Sequence, residues 1–151
     1  MASVLSSPSE NQVAVSATKL LINNRWVNSQ SGKTFATINP TTGKEICQVA
    51  EADAADVDIA VKAARKAFDQ GPWHKTSGPE RARLLNRLAD LIEKHADELA
   101  ALESMDNGKP LLVAKHVDVA ATIGCYRYFA GWADKVMGKT IPLQGLSLIH
   151  I

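Results

Sequence analysis

The groups in this sequence whose types suit chemistry are two thiols, Cys47 and Cys125, three separated imidazoles, His74, His95 and His116, and the triplet Gly138, Lys139, Thr140. With Ala133 five positions ahead of Gly138, the triplet fits the loose form of a phosphate-binding loop. Such a loop needs a strand before it and a helix after it, so that amides at the helix start face the phosphate. Here the order is reversed, a helical stretch running into a strand that bears Pro142. The segment therefore reads as a helix end, capped by Gly138, with Lys139 near the negative pole. A nucleophilic cysteine needs a base or a helix N-terminus to lower its pKa. Neither accompanies Cys47, beside Ile46 in a strand pattern, or Cys125, on a helical stripe. Both read as small buried apolar residues. Of the four histidines, His74, His95 and His116 lie apart from one another, so surface or structural roles fit them better than metal or proton work.

The elements that must carry these groups turn about Asp106, Asn107 and Gly108. Asn and Gly accept positive φ, and an Asp can accept a hydrogen bond from the backbone two residues on. Pro110 then restarts a helix at a position where its missing N–H costs nothing. Ahead of this pivot, Leu20–Ile22 and Arg25–Val27 flank Asn23 and Asn24, which predicts a hairpin. Thr34–Ile38 and Glu45–Val49 predict a second strand pair around the turn cluster from Asn39 to Gly43. From Asp53 the apolar period changes to that of a helix. Val57, Val61, Ala64 and Phe68 share one face of a first helix that ends near Gly71 and Pro72. Ser77 caps a second, with stripe Leu84, Leu85, Leu88, Leu91, Ile92, Leu99 and Leu102 running to the pivot. Val117, Ala121, Cys125, Tyr128, Trp132 and Val136 mark a third that stops at Gly138, and Thr140 starts a strand. The chain is thus α+β: short N-terminal strands, then three amphipathic helices.

Composition narrows the classes further. The formal charge of +1, with both signs interspersed, leaves no basic stripe for nucleic acid or anionic membranes. The apolar runs fall short of the roughly 20 residues needed to span a bilayer. Two cysteines without metal or disulfide spacing favour a reducing compartment, and a cytoplasmic location is expected. Residues 1–17, without a charged start or apolar run, read as a disordered leader.

The stretches "LINNRWVNSQSGKTFATINPTTGKEICQVAEAD", "DVDIAVKAARKAFDQGPW", "ERARLLNRLADLIEKHADELAALESMDNGKP" and "YRYFAGWADKVMGKTIP" closely resemble the N-terminal part of NAD(P)-dependent aldehyde dehydrogenases. The resemblance is strongest to the subgroup acting on retinal, acetaldehyde and betaine aldehyde. It implies an α/β fold at family level with a Rossmann-type cofactor domain, of which 18–145 would be the incomplete N-terminal part. It also implies NAD or NADP as cofactor, a small-molecule aldehyde as substrate and a homo-oligomer for the full-length form. In such enzymes a cysteine thiolate attacks the aldehyde, hydride passes to nicotinamide, and a glutamate-activated water cleaves the thioester. Their catalytic Cys, Glu, oxyanion Asn and cofactor loops lie further along, and none of those motifs occurs in these 151 residues. No catalytic or cofactor-binding residue is therefore assigned. One family site does map by resemblance: a structural monovalent cation, Na+ or K+, held by oxygens of Thr37, Ile38 and Asp106, an oxygen set suited to a hard cation. Residues 146–151 depart from the resemblance and are expected to be a non-family tail of artefactual origin. The isolated chain is expected to be inactive and loosely packed, because its apolar faces lack partners. The alternative is a non-catalytic interaction fragment that docks on full-length subunits.

Overall fold

The computed structural model describes residues 13–138, together with the strand backbone at 140–141 and 149–150. Of the expected leader, 1–12 lie outside the described residues, and 13–17 carry no regular structure. Lys139, residues 142–145 and most of the expected tail also lie outside.

Strands β1 (Leu20–Ile22) and β2 (Arg25–Val27) pair antiparallel, Leu20 opposite Val27. Asn23 and Asn24 take φ of 52° and 59°, the double left-handed turn whose twist suits a two-residue hairpin. β3 (Thr34–Ile38) pairs with β4 (Glu45–Ala50). Their register slips between Thr37 and Ile38: Thr37 faces Cys47 but Ile38 faces Glu45, so Ile46 is the extra residue of a bulge. Backbone at β5 (Thr140–Ile141) pairs with β6 (Ile149–His150). The described strands form three separate two-stranded sheets.

Helix α1 (Ala54–Gln70) starts at Asp53, whose carboxylate accepts from Ala55 and Asp56, while the Asp56 carboxylate reaches back to the Asp53 amide. A 3-10 turn at Pro72–Lys75 leads to α2 (Gly78–Lys94), capped by Ser77 as its sequence predicts. The second helix is not continuous to the pivot. It breaks at His95 (φ −104°, ψ 19°), and α3 (Ala96–Asn107) begins with Asp97 and Glu98 in its first turn, where the helix dipole favours acids. The third helical run is also not uniform. It comprises α4 (Leu111–Val113), a π-helical stretch Ala114–Val119 and α5 (Ala120–Ala130), and it ends well before Gly138. At that end Gly131 and Trp132 donate short-range turn bonds, and the Lys135 ammonium donates to the Gly131 carbonyl at 2.6 Å. The 131–134 turn then lies on the start of α2. A Cβ at Gly78 would sit 2.8 Å from both the Ala133 carbonyl oxygen and the Asp134 Cα, so only glycine permits this approach.

The helices bury their small residues and expose their large ones. Ala89 of α2 and Ala130 of α5 close the α2–α5 seam, and Ala100 of α3 packs with Ala114 and Val119. The wider turn of the π-helix places Ala114 and Val119, five residues apart, on the same side. The expected stripes lie mostly outward instead: Val57, Val61 and Phe68 on α1, Leu84, Leu88 and Leu91 on α2, Val117 and Tyr128 on the last helical run. Cys125, expected to be buried on its stripe, is exposed for the same reason, whereas Cys47 is half-buried in β4. No described helix is long and apolar enough to cross a membrane.

Candidate cation site and the turn that builds it

The pivot is held from several directions. Gly108 ends α3 with φ +77°, and its amide bonds the Ser104 carbonyl at 3.0 Å. The Ser104 hydroxyl donates to the Lys109 carbonyl at 2.6 Å, and the Lys109 amide donates to the Asn107 side chain at 2.8 Å. Asn107, not Asp106, therefore accepts the turn-stabilising bond from the backbone two residues on, the role the sequence reading gave to Asp106. The turn abuts the β3–β4 connection, because a Cβ at Gly108 would lie 3.0 Å from Pro40.

That approach opens a cleft of about 360 Å³ between the second hairpin and α3. Its wall is mostly apolar, from Val15, Val49, Leu99, Leu102 and Met105, with Thr37, Cys47, Glu103 and Asp106 supplying the polar atoms. The fold thus brings together Thr37 and Asp106, which are far apart in sequence. Ile38 sits at the end of β3, next to the bulge and outside the cleft lining, with a half-exposed side chain. The Thr37 hydroxyl donates to the Cys47 carbonyl at 3.3 Å, which fixes its rotamer within the hairpin. Asp106 lines the cleft, is exposed and makes no side-chain hydrogen bond or ion pair among the described residues. Among the described residues no group of three or more His, Cys, Asp or Glu side chains is placed to hold a metal ion. A cation here would depend on one carboxylate and neutral oxygens, a donor set that fits a monovalent hard ion better than a zinc-type metal.

Beside the cleft, the Lys109 ammonium lies between the carboxylates of Glu103 (3.1 Å) and Asp118, joining α3 to the π-helical stretch. The hydrogen bonds that the ammonium donates to Asp118 and then to Glu103 raise the Lys109 pKa above its ordinary value. The Lys109 hydrogen bond holds the Asp118 carboxyl below the usual carboxylate range. A second such bridge joins α5 to α2, Arg127 reaching Glu93 at 2.6 Å and Asp90 at 3.3 Å.

The sequence reading missed Lys109, Glu103 and Asp118, because the π-helical turn that aligns Asp118 leaves no mark in an α-periodic pattern. It also missed Asp56, the largest fully buried side chain, which accepts from the Gln30 amide at 3.0 Å and so ties the loop after β2 to α1. The spacing of Asp53 and Asp56 was a usable capping signal. His74, His95 and His116 stay apart. The Gly138 segment keeps its helix-then-strand order, with Lys139 outside the described residues.

Residues 26–150 match the family model described as "Aldehyde dehydrogenase family". The chain is 55% identical over 140 residues to a human mitochondrial aldehyde dehydrogenase, covering 91% of this chain and 27% of that protein. It is 54% identical over 138 residues to aldehyde dehydrogenase family 2 member B4, mitochondrial, of Arabidopsis thaliana, covering 91% and 26%. An NAD+ complex of the aldehyde dehydrogenase from Bacillus cereus superposes with a TM-score of 0.80 at 50% identity, over 85% of this chain and 26% of that one. The chain spans about a quarter of the length of these relatives.

Proposed function

Because the chain belongs to the aldehyde dehydrogenase family, we propose that it forms the N-terminal part of the cofactor-binding domain of an enzyme that oxidises an aldehyde to a carboxylic acid. The family match over residues 26–150 carries the reading. In the proposed enzyme the cofactor is NAD, or NADP in its place, and supplies the hydride acceptor. The relatives solved with NAD, from Bacillus cereus and the protein PnpE, support NAD. This chain's own share is architectural. The two hairpins, the Asp56 tie and the Lys109 bridge hold one layer of helices in a fixed frame. The proposed assembly is homo-oligomeric. Its proposed compartment is the cytoplasm, on the strength of the two unpaired thiols, although two of the relatives are named as mitochondrial.

We further propose that backbone oxygens at Thr37 and Ile38 and the Asp106 carboxylate hold Na+ or K+, with remaining ligands from another part of the family's polypeptide. The bulge supports this, since Ile46, the residue without a ladder partner, lies on β4 opposite Thr37 and Ile38 and loosens the pairing there. The assignment of turn stabilisation to Asn107 supports it as well, because it leaves Asp106 available.

A chimera tests the catalytic reading. Residues 26–138 of this chain replace the matched quarter of the Bacillus cereus enzyme, and aldehyde-dependent reduction of NAD is followed. The expected kcat/KM lies within about tenfold of the parent, a barrier difference of about 1.4 kcal/mol. A folded chimera without turnover overturns the reading.

A further inference from the structure

Asn107 and Gly108 form the one Asn-Gly pair of the sequence. An asparagine side chain can be attacked at its carbonyl carbon by the backbone nitrogen of the next residue, and glycine leaves that nitrogen unshielded. Every other asparagine is followed by a residue with a side chain, which crowds the approach. Asn107 is exposed and is the last residue of α3. Its Oδ1 accepts from the Lys109 amide at 2.8 Å, so the side chain folds back across the Gly108 peptide. Attack would place negative charge on that oxygen, and a backbone N–H already directed at it stabilises such charge. Its Nδ2 donates to Glu103 at 3.4 Å. One contact opposes the reaction: the Gly108 N–H is engaged with the Ser104 carbonyl at 3.0 Å.

We propose that Asn107 is a modification site, where the side-chain amide becomes a carboxylate through a cyclic imide with the Gly108 nitrogen. That nitrogen gives its proton to a base from solvent and bonds to Asn107 Cγ. The Cγ–Nδ2 bond breaks, and the amino group leaves as ammonia with a proton taken from water. Water then opens either C–N bond of the imide, leaving aspartate or an isoaspartate linked through the side chain. A water is consumed, an ammonia is released and nothing is oxidised. The bond from Gly108 to Ser104 gates the step, since the last turn of α3 must open before the nitrogen can attack, and helix ends open at low free energy. The product loosens the pivot. It sets a carboxylate at the negative pole of α3 and against Glu103, where the amide had donated. Isoaspartate also lengthens the backbone by a methylene, which displaces Gly108 from its left-handed stop.

The test is ageing of the 151-residue chain in warm neutral buffer, beside a peptide of residues 104–110. Mass-spectrometric peptide mapping is expected to find the amide-to-acid change at Asn107 ahead of every other asparagine, as a mixture of aspartate and isoaspartate. Conversion in the chain is expected to be slower than in the peptide by about tenfold, because a last turn that is open about a tenth of the time reacts in that proportion. Ser104→Ala removes the hydroxyl bond to the Lys109 carbonyl and is expected to narrow the gap. Asn107→Gln, whose longer side chain must close a larger ring, is expected to stop conversion at this position. Asn107→Asp, the product made directly, is expected to lower the thermal midpoint. Faster conversion at another asparagine, or aspartate without isoaspartate, would overturn the cyclisation at Asn107. Equal rates in chain and peptide, or a folded Ser104→Ala chain that reacts no faster, would overturn the gate. If Ser104→Ala loses its helical circular dichroism, the ratio of chain to peptide decides. An unchanged midpoint in Asn107→Asp would overturn the loosening of the pivot.

Discussion

Phe68→Gln is the substitution that most directly probes whether the large apolar stripes face outward. The ring is 68% exposed, so only about a third of its transfer free energy is realised in the fold. With about 1.5–3 kcal/mol for a fully buried side chain, the burial lost is about 0.5–1 kcal/mol. The Arg65 guanidinium lies 5.2 Å from the ring centroid, and losing that exposed contact costs about 0.5–1 kcal/mol. Gln is the better helix former by a few tenths of a kcal/mol, which offsets part of this. The net loss is about 1 kcal/mol, small for a residue of this size. Ala89→Gln is the contrast, because it forces a long polar chain into a site with no exposure between α2 and α5 and costs several kcal/mol through overpacking and desolvation. Far-ultraviolet circular dichroism and binding of a hydrophobic dye should separate the two. Phe68→Gln should keep the helical signal and bind less dye, and Ala89→Gln should lose helical signal and bind more. Equal loss of helix in both variants would refute the outward placement of α1.

In the chimeric enzyme, Gly78→Ala should lower stability by about 1–3 kcal/mol, read from thermal or urea unfolding, because its Cβ meets the backbone of the 131–134 turn at 2.8 Å. The Lys109–Asp118 pair should show in the pH profile. Asp118, with its folded pKa depressed, adds stability that is present above the unfolded value of about 3.9 and disappears as pH falls through the lower folded one. Lys109, with its folded pKa raised, adds stability that is present below about 10.4 and disappears as pH rises through the folded value. Carbon-detected titration of Asp118 in Lys109→Met should therefore find its pKa moved up towards the ordinary carboxylate range, and an unmoved value would remove Lys109 as the cause. Replacing choline by Na+ or K+ at about a hundred times Kd should stabilise the chimera by about 2.7 kcal/mol. That gain should vanish in Asp106→Asn, and its survival would exclude Asp106 as a ligand.

Much of the local structure was legible because it depends on residues that are neighbours in the chain. Asn23 and Asn24 dictate their hairpin, Ser77 its cap and Gly108 its left-handed stop, each through backbone preferences that act within a few residues. The helical and strand periods also located the elements. Periodicity finds an apolar face by weight, however, and so it selected Val61, Phe68, Cys125 and Tyr128 over Ala60, Ala89 and Ala130. Close helix packing needs small side chains, so the alanines take the contacts between described helices and the bulky stripes stay outward. The break at His95, the π-helical widening at Ala114–Val119 and the Lys109 bridge were not legible, because each answers to contacts between elements.

The site divides in the same way. Resemblance named Thr37, Ile38 and Asp106, and chain-local chemistry could place each on a strand end or a turn. Only the tertiary structure set Thr37 and Asp106 around one cleft and gave the turn-stabilising bond to Asn107. Sequence alone determined which short segments turn, which coil and to which family they belong, since those properties reside in adjacent residues. Tertiary structure decided which face of each helix is inside, because burial is a property of pairs of surfaces and no single segment carries its partner with it.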